Sequence, residues 1–572
     1  MLFIFSPIYT FSQDLISVRY QLLFTDYQPV TMFSFTRFPP EIRCMVLKHV
    51  ADGYDSTAEP GARAGYASVC REWQPVFEHR NFRRLKLSQA DLPDFEQLMN
   101  LEHNKRRQSY VEHIAFRYIL PAYGCGICQT SESTYEVNKN NDILVNASRA
   151  LLRILSEWKQ ASQICAREGP GPGLTLDLGA YSPGDSVHSI RDFRLTRAYP
   201  YMEAAKLEPT YAAYRRHARL VGPEPLTNEH HGWVDGRQQT VNLDARKRVM
   251  ATLGLSIGPD GVEEDVWDPC TLLEVEIVTD LVIRRQFYRK FDVCSLGGFL
   301  LAFKGIRSFR HEYWHDVDER LREVTNEQYC VLLQSLLPPS VRHFSMFEDS
   351  SELMNPDLPE DRCDVDLSVQ LSDSSRSMET LSAAFAVDAD YFFWDFRLDK
   401  DGLLERQPNL THWENLKTLA LTCRALHSDF VQESIDESLM SAGRAARYMP
   451  KLEVMEIWYA QDGDMSLFRF TCEDGKPKIA FRHNWTTRKF EFDEEVIQAW
   501  AGSMKHRGRL THAVHELRRE EGWRDSYYVA VPHLQLADSV LDPISRYQLA
   551  WEHLDEDVLK GLVNTEDDEW MD

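Results

Sequence analysis

The sequence predicts an α/β protein in which a short helical module precedes a long body of repeated strands and helices. Two short segments near the N terminus have apolar residues at helical spacing, and a phrase of the form Φ-x-x-Φ-x-Φ, where Φ is apolar, recurs through the rest of the chain. Helix-like segments lie between its copies. A chain of 572 residues, 43% of them hydrophobic, is long enough to bury a core of this kind.

Net charge and cysteine usage argue against several classes of protein. The formal net charge of −24 repels phosphate backbones, so we expect no nucleic-acid partner. The 11 cysteines are scattered and odd in number, which favours reduced thiols in the cytoplasm or nucleus over a secreted disulfide framework. No run approaches the about 20 apolar residues that a membrane-spanning helix needs, so we expect no membrane partner either.

The N-terminal module contains two predicted helices. The first covers residues 38–50, with prolines in its first turn, where no amide partner is lost. A polar loop over residues 52–65 separates it from a second helix over residues 66–77, and residues 81–87 predict the first strand of the body. The apolar stripe of the first helix consists of Ile42, Met45, Val46 and Val50.

This module resembles the F-box, the motif that docks on the Skp-type adaptor of cullin–RING ubiquitin ligases. The resemblance lies in Phe-Pro-Pro-Glu-Ile-Arg at 38–43 followed by Val-Cys-Arg-Glu-Trp at 69–73. The first position is Phe where Leu is usual, and the spacing between the two half-motifs is several residues longer than in a standard F-box. The resemblance implies that the adaptor-binding residues are Phe38, Pro39, Pro40, Ile42, Leu47, Val50, Val69 and Trp73. The alternative is a helical cap on a repeat domain.

The repeated phrase has a regular period in the C-terminal half. Its copies there begin at Ile306, Val341, Met378, Leu416 and Leu452, which are 35, 37, 38 and 36 residues apart. Less regular copies begin at positions 82, 111, 171 and 278, and helices are predicted over residues 144–158, 327–337 and 436–448. One strand and one helix per unit is typical of leucine-rich repeats, but the period exceeds their usual length of about 20–29 residues. We therefore predict an irregular leucine-rich-repeat-like α/β solenoid, with a set of separate α/β domains as the alternative.

The pattern changes after residue 460. Residues 467–472 and 478–483 predict a β-hairpin, which residues 488–492 extend, and a helix follows over residues 493–506. We interpret these elements as a C-terminal cap that closes the open end of the repeats.

These patterns divide the chain into four parts. Residues 1–31 form an extension that is disordered or non-native, residues 32–80 the F-box, residues 81–460 the body, and residues 461–572 the cap and tail. The body contains an insert at about 195–266, within which a helix is predicted near 209–220. The insert is either a loop that contacts a ligand or a poorly ordered insertion.

We find no motif for catalysis, for a cofactor or for a metal. Cys125-Gly-Ile-Cys128 has no second cysteine pair or histidine pair at zinc-finger spacing, so we expect no zinc there. His230-His231 is interpreted as a solvated loop. The sequence therefore predicts a protein that is not an enzyme.

The body resembles that of ascomycete F-box proteins, through residues 174–185, 413–422 and 452–458. The resemblance implies a substrate-recognition subunit of a Skp–cullin–F-box ubiquitin ligase, which binds the adaptor through the F-box and an unidentified protein target through the body. The alternative is a non-catalytic repeat scaffold for protein–protein interaction.

Overall fold

A computed structural model describes residues 37–52, 60–158, 173–189, 229–234, 237–238, 241–255, 272–351, 353–356, 363–398, 412–461, 463–503, 508–517 and 527–552. The chain divides into two compact units. The first comprises residues up to 85 together with 90–113, and the second comprises residues 86–89 and those from 114 onwards. The predicted extension at 1–31 and the predicted helix at 209–220 lie outside the described residues.

The first unit is helical. Its helices are α1 (Pro40–Asp52), α2 (Pro60–Ser68), α3 (Trp73–Arg83) and α4 (Leu92–Asn100), and a 3-10 stretch covers Glu102–Tyr110. A small core of Leu47, Ala51 and Phe77 joins α1 to α3, and the Trp73 ring stacks on Phe77 with centroids 5.2 Å apart. The predicted first helix is confirmed, with bounds shifted by two residues.

The predicted second helix over residues 66–77 is wrong. α2 ends at Ser68, the chain turns through residues 69–72, and α3 begins at Trp73. Pro75 explains the break, because inside a continuous helix its ring would clash with the carbonyl group of Arg71. In the first turn of α3 the same proline leaves no hydrogen bond unmade. The predicted loop over residues 52–65 is also partly wrong, since α2 starts at Pro60.

The second unit is built on one large sheet, so the predicted α/β class is confirmed. The order of its twelve strands is β1-β2-β3-β7-β9-β10-β11-β12-β13-β14-β15-β16. In the described part of the chain, the short pairs β4–β5 and β6–β8 form two further small sheets. The strands are β1 (Arg84–Ser88), β2 (His113–Ile119), β3 (Leu174–Tyr181), β4 (Trp233–Val234), β5 (Arg237–Gln238), β6 (Thr252–Leu253), β7 (Val278–Ile283), β8 (Lys290–Phe291), β9 (Ser308–Trp314), β10 (His343–Asp349), β11 (Thr380–Asp388), β12 (Thr418–Thr422), β13 (Val454–Gln461), β14 (Asp464–Glu473), β15 (Lys476–His483) and β16 (Thr511–Glu516).

Helices connect these strands. The predicted helices at 144–158, 327–337 and 436–448 are confirmed in place, with different bounds. The first of them starts earlier than predicted, at Thr134, because Ser133 and Glu136 form a capping box there. The helices are α5 (Thr134–Ser156), α6 (Leu243–Val249), α7 (Val293–Ala302), α8 (Glu319–Val331), α9 (Val365–Ser374), α10 (Ala389–Phe392), α11 (Gln432–Ala445), α12 (Glu494–Ser503), α13 (Ala537–Val540) and α14 (Pro543–Glu552). No helix in the described ranges is both long and apolar enough to span a membrane.

The regular period of the sequence reappears in the strand register. β9 to β13 are parallel neighbours, and Ser308, His343, Thr380, Thr418 and Val454 stand opposite one another along the ladder. These positions are 35, 37, 38 and 36 residues apart, which are the spacings of the predicted phrases. Each phrase therefore contributes one strand at the same level of the sheet.

Side chains alternate across each strand, so the sheet has two distinct faces. On the face that we call the helix face, His311 Nδ1 and the Tyr329 hydroxyl of α8 share a hydrogen bond of 2.6 Å. At the level of Phe309, the five residues that stand opposite one another along the ladder are apolar and at most 2% exposed. They are Phe309, Phe344, Leu381, Leu419 and Met455.

The opposite face, which we call the C-terminal face, carries different residues. Arg310, Ser345, Ser382, Ala420 and Glu456 occupy it, and residues 527–552 pack across it. That segment buries Val531, Val540 and Leu541 among others, against strand residues such as Trp458. The predicted tail thus covers one face of the sheet.

The hairpin of the predicted C-terminal cap is confirmed as β14 and β15, which pair antiparallel around a turn at Asp474 and Gly475. Both turn residues have positive φ, as a two-residue hairpin turn requires. The predicted extension by residues 488–492 is wrong, because β16 pairs with β15 instead. Phe490 stacks on Phe481 with ring centroids 3.8 Å apart, so this segment lies over the sheet and not beside its edge. The predicted helix is confirmed as α12, and residues 504–506 lie outside the described part.

Candidate functional site

Several apolar side chains in and near helix α1 are partly exposed. A helix of a globular protein normally turns its apolar residues inward, so exposed apolar residues on α1 and in the turn between α2 and α3 are a candidate interaction surface. We call this group the α1 surface. Its members are Phe38 (39% exposed), Ile42 (40%), Met45 (67%), Val46 (37%) and Val69 (58%).

The eight predicted adaptor-binding residues fall into two groups. Phe38, Pro39, Pro40, Ile42 and Val69 are exposed. Leu47 is buried, and Val50 and Trp73 pack against the Leu47–Phe77 core. The first group is available to a partner, whereas the second holds the helices together.

Polar contacts fix the geometry of this unit. Arg43 of α1 forms an ion pair with Glu72 in the turn before α3. Glu78 of α3 accepts hydrogen bonds from Arg107 (2.6 Å) and Arg106 (3.1 Å). Burial alone would raise the pKa of the Glu78 carboxyl, but the bonds from Arg107 and Gln74 hold it below its ordinary value.

The C-terminal face of the sheet is held by polar contacts to residues 527–552. Glu456, which is fully buried, accepts hydrogen bonds from the backbone amides of Gln535 (2.9 Å) and Leu536 (2.8 Å). Ser345 donates to the carbonyl oxygen of Ser539 at 2.8 Å. This face is thus occupied by the chain itself.

Buried ion pairs cluster in the less regular half of the sheet. Asp177 of β3 accepts hydrogen bonds from Arg117 of β2 (2.9 Å) and from Arg284 after β7 (2.7 Å), and all three side chains are at most 4% exposed. Each charge has a partner of opposite sign, as burial requires. The arrangement is suited to joining three strands.

Two cysteines and two histidines meet near the ends of β2 and β3. The donor atoms of Cys125, Cys128, His188 and His231 all lie within 4.8 Å of one another. Cys125 Sγ lies 3.2 Å from His188 Nδ1 and 3.7 Å from His231 Nε2, and Cys128 Sγ lies 3.5 Å from His231 Nε2. We call this group the Cys/His cluster.

Several contacts position the Cys/His cluster. Residues 125–129 form a tight turn that begins with a hydrogen bond from the Ile127 amide to the Gly124 carbonyl at 3.1 Å. Tyr123 donates to Asp185 at 2.9 Å, which ties this turn to the one that carries His188. Gln129 donates to the His230 carbonyl at 2.9 Å and so ties it to the third segment.

The interpretation of His230-His231 as a solvated loop is wrong for one of the two residues. His230 is exposed, but His231 is buried against both cysteines. Zinc-finger spacing does not link these residues, because His188 and His231 lie 60 and 103 residues beyond Cys128. The Cys-x-x-Cys pair was the one available signal.

A second acidic group does not make a comparable site. Asp388, Asp390 and Cys423 place donor atoms close together. However, the Asp388 carboxylate already accepts the backbone amides of Asp390 and Arg424, both at 2.8 Å, and so caps the start of α10. Burial, and then the neighbouring Asp390, raise the pKa of Asp388 to about 6.

Part of the chain is similar in sequence to one known family. No curated protein matches the sequence. Residues 336–542 are similar to a family that is described as a family of unknown function, DUF6546. The matched segment runs from just before β10 to the end of α13, and so includes the hairpin and much of the segment that covers the C-terminal face.

Proposed function

We propose that this chain is the substrate-recognition subunit of a Skp–cullin–F-box ubiquitin ligase, acting in the cytoplasm or nucleus. The first unit docks on the Skp-type adaptor, and the body, a leucine-rich-repeat-like solenoid, holds a target protein. The observation that carries the proposal is the α1 surface, where Phe38, Ile42 and Val69 of the F-box-like motif are exposed.

The α1 surface has the chemistry that an adaptor helix requires. Its exposed side chains are apolar, and Ile42, Met45 and Val46 lie on one side of α1 at spacings of three and four residues. Burying such a group against a partner removes apolar area from water, which is the main favourable term in association. The buried Leu47 keeps α1 in place while the outer side stays available.

The period of the body supports the solenoid. Five parallel strands repeat in register with one connecting segment each, so every unit packs on its neighbours. Because residues 527–552 occupy the C-terminal face, we assign target recognition to other surfaces of the body.

The contribution of such a subunit to ubiquitin transfer is proximity. By holding adaptor and target together, it raises the effective concentration of a target lysine near the charged conjugating enzyme. No catalytic group on this chain takes part in the proposed role.

Co-purification with a Skp-type adaptor tests the proposal. We expect the full chain to retain the adaptor and the Ile42→Asp variant to lose it, because a carboxylate would be buried against an apolar partner. Lys48→Asp is the matched control, since Lys48 is exposed on the same helix but outside the α1 surface. Equal retention by wild type and Ile42→Asp, or no retention by wild type, contradicts the proposal and favours a scaffold in which these helices only cap the body.

A further inference from the structure

The Cys/His cluster joins three segments that are far apart in the sequence. Cys125 and Cys128 follow β2, His188 follows β3, and His231 lies in a short turn before β4. Cys128 and His231 are buried, His188 is partly buried, and Cys125 is exposed. Four side chains with soft or borderline donor atoms thus converge at one place in the described part of the chain.

The distances match the edges of a tetrahedron around a metal ion. With Zn–S bonds of about 2.3 Å and Zn–N bonds of about 2.0–2.1 Å, a tetrahedral site has sulfur–nitrogen edges of about 3.6 Å. The three measured edges are 3.2, 3.7 and 3.5 Å. A small adjustment of side chains would bring all four donors to bonding distance from a common centre.

Hydrogen bonds alone account poorly for the arrangement. His231 Nε2 lies at similar distances from two sulfur atoms, 3.7 Å from Cys125 and 3.5 Å from Cys128. A neutral ring nitrogen has one lone pair or one proton, so it makes one good hydrogen bond and not two. A metal ion at the centre satisfies every donor at once.

We propose that Cys125, Cys128, His188 and His231 bind a zinc ion as a structural Cys2His2 site. Two thiols release their protons to solvent on binding, so the two thiolates balance the charge of Zn2+ and the site is neutral overall. Thiolate and imidazole ligands select zinc over the oxygen-seeking magnesium and calcium ions. Four protein ligands leave no open position, which is the coordination of a structural and not a catalytic site.

The ion would connect the irregular half of the body. It would link the turns after β2 and β3 to the segment around residue 231 and supplement the contacts that Tyr123 and Gln129 already make. This inference does not depend on adaptor binding.

Metal analysis of the purified full chain tests the proposal. After exposure to zinc and dialysis under reducing conditions, we expect one zinc ion per chain, and about a tenfold lower content in Cys125→Ser/Cys128→Ser. Cys44→Ser/Cys70→Ser is the matched control, because both thiols are exposed and do not belong to the Cys/His cluster, and this variant should keep its zinc.

Cobalt substitution of the wild-type chain provides a readout that does not depend on the folding of a variant. We expect the visible bands of tetrahedral Co2+ together with a thiolate-to-cobalt charge-transfer band, and we expect both to change in His188→Asn and in His231→Asn. Zinc content near zero in the reduced wild type overturns the proposal. A cobalt spectrum without thiolate bands, or one that both histidine substitutions leave unchanged, overturns it as well.

Discussion

The two faces of the large sheet are covered by different means. On the helix face, apolar residues recur in every strand from β9 to β13 with the period of the sequence, alongside buried polar residues such as His311 and Glu348. The C-terminal face carries charged, small and aromatic residues, and residues 527–552 cover it. Apolar burial that recurs with the period of the sequence stabilises the helix face, whereas the C-terminal face combines apolar contacts to residues 527–552 with individual polar contacts. The effects of substitutions should differ accordingly.

The largest effect is expected on the C-terminal face. Glu456→Ala removes the acceptor for two backbone amides and leaves Arg469, which pairs with Glu456 at 2.6 Å, without that partner. Breaking a buried pair by removing one partner costs about 3–5 kcal/mol of unfolding free energy. Urea unfolding measures this loss of unfolding free energy, and Glu456→Gln is the control, because it keeps the shape of the side chain. A loss below about 1 kcal/mol would show that these contacts contribute little.

On the helix face, a comparable loss should follow from apolar truncation. Leu419 is fully buried in β12, and Leu419→Ala should cost about 2–5 kcal/mol because it removes apolar contacts and leaves a cavity. The volume-conserving Leu419→Met should cost less than about 1.5 kcal/mol. If both substitutions cost the same, close packing is not what stabilises this face.

The helix face should also make stability depend on pH. Burial, with a smaller effect from Lys290, lowers the pKa of His311 to about 3, from about 6.5 in the unfolded chain. The folded state therefore favours the neutral ring, whose stabilising contribution is complete above pH 6.5 and is lost as the pH falls towards 3. Between pH 6.5 and pH 5 this amounts to about 2 kcal/mol. We expect the unfolding free energy of His311→Gln, measured by urea unfolding at several pH values in that range, to depend less on pH than that of the wild type. An unchanged pH dependence contradicts the assignment of this effect to His311.

A smaller loss of unfolding free energy is expected when a single hydrogen bond to residues 527–552 is removed. Ser345→Ala removes the bond to the Ser539 carbonyl and should cost about 1 kcal/mol. Ser382→Ala, at the register-matched position of β11, is the comparison, because the Ser382 hydroxyl is buried without a hydrogen-bond partner among the described residues. Equal costs would mean that the bond to Ser539 adds nothing.

The smallest effect on stability is expected at the α1 surface. Ile42→Asp replaces an exposed side chain and should change the unfolding free energy by no more than about 0.5 kcal/mol. Leu47→Ala, on the buried side of α1, should cost about 2–5 kcal/mol in the same measurement. A large loss in Ile42→Asp would indicate that this residue belongs to a core and not to a docking surface.

Local periodicity explains which parts of the fold were predictable. The phrases around Leu416 and Leu452 predicted strands in the right places because the helix face repeats within a short stretch of sequence. The covering of the other face was not predictable, since residues 527–552 follow no such pattern and meet strands more than 60 residues away. The predicted helix over 66–77 is wrong because Pro75 would lie in its interior, where a proline ring clashes with the preceding turn.

How well each candidate site could be predicted also depends on how close its residues lie in the sequence. The exposed residues of the α1 surface lie in two short segments, 38–46 and 69, that belong to one sequence pattern, so the sequence could indicate them. The Cys/His cluster draws on three segments whose approach depends on the packing of β2 and β3. Only Cys125 and Cys128 are close enough in sequence to form a pattern.

Hydrogen exchange of the full chain with and without a Skp-type adaptor tests the proposed function most directly. We predict slower exchange on adding the adaptor in residues 38–52 and around Val69, and unchanged exchange in β9 to β13. Lys48→Asp should reproduce this result, and Ile42→Asp should abolish it. Protection confined to the sheet, or no protection anywhere in a folded chain, would contradict the assignment of the α1 surface as an adaptor-docking site.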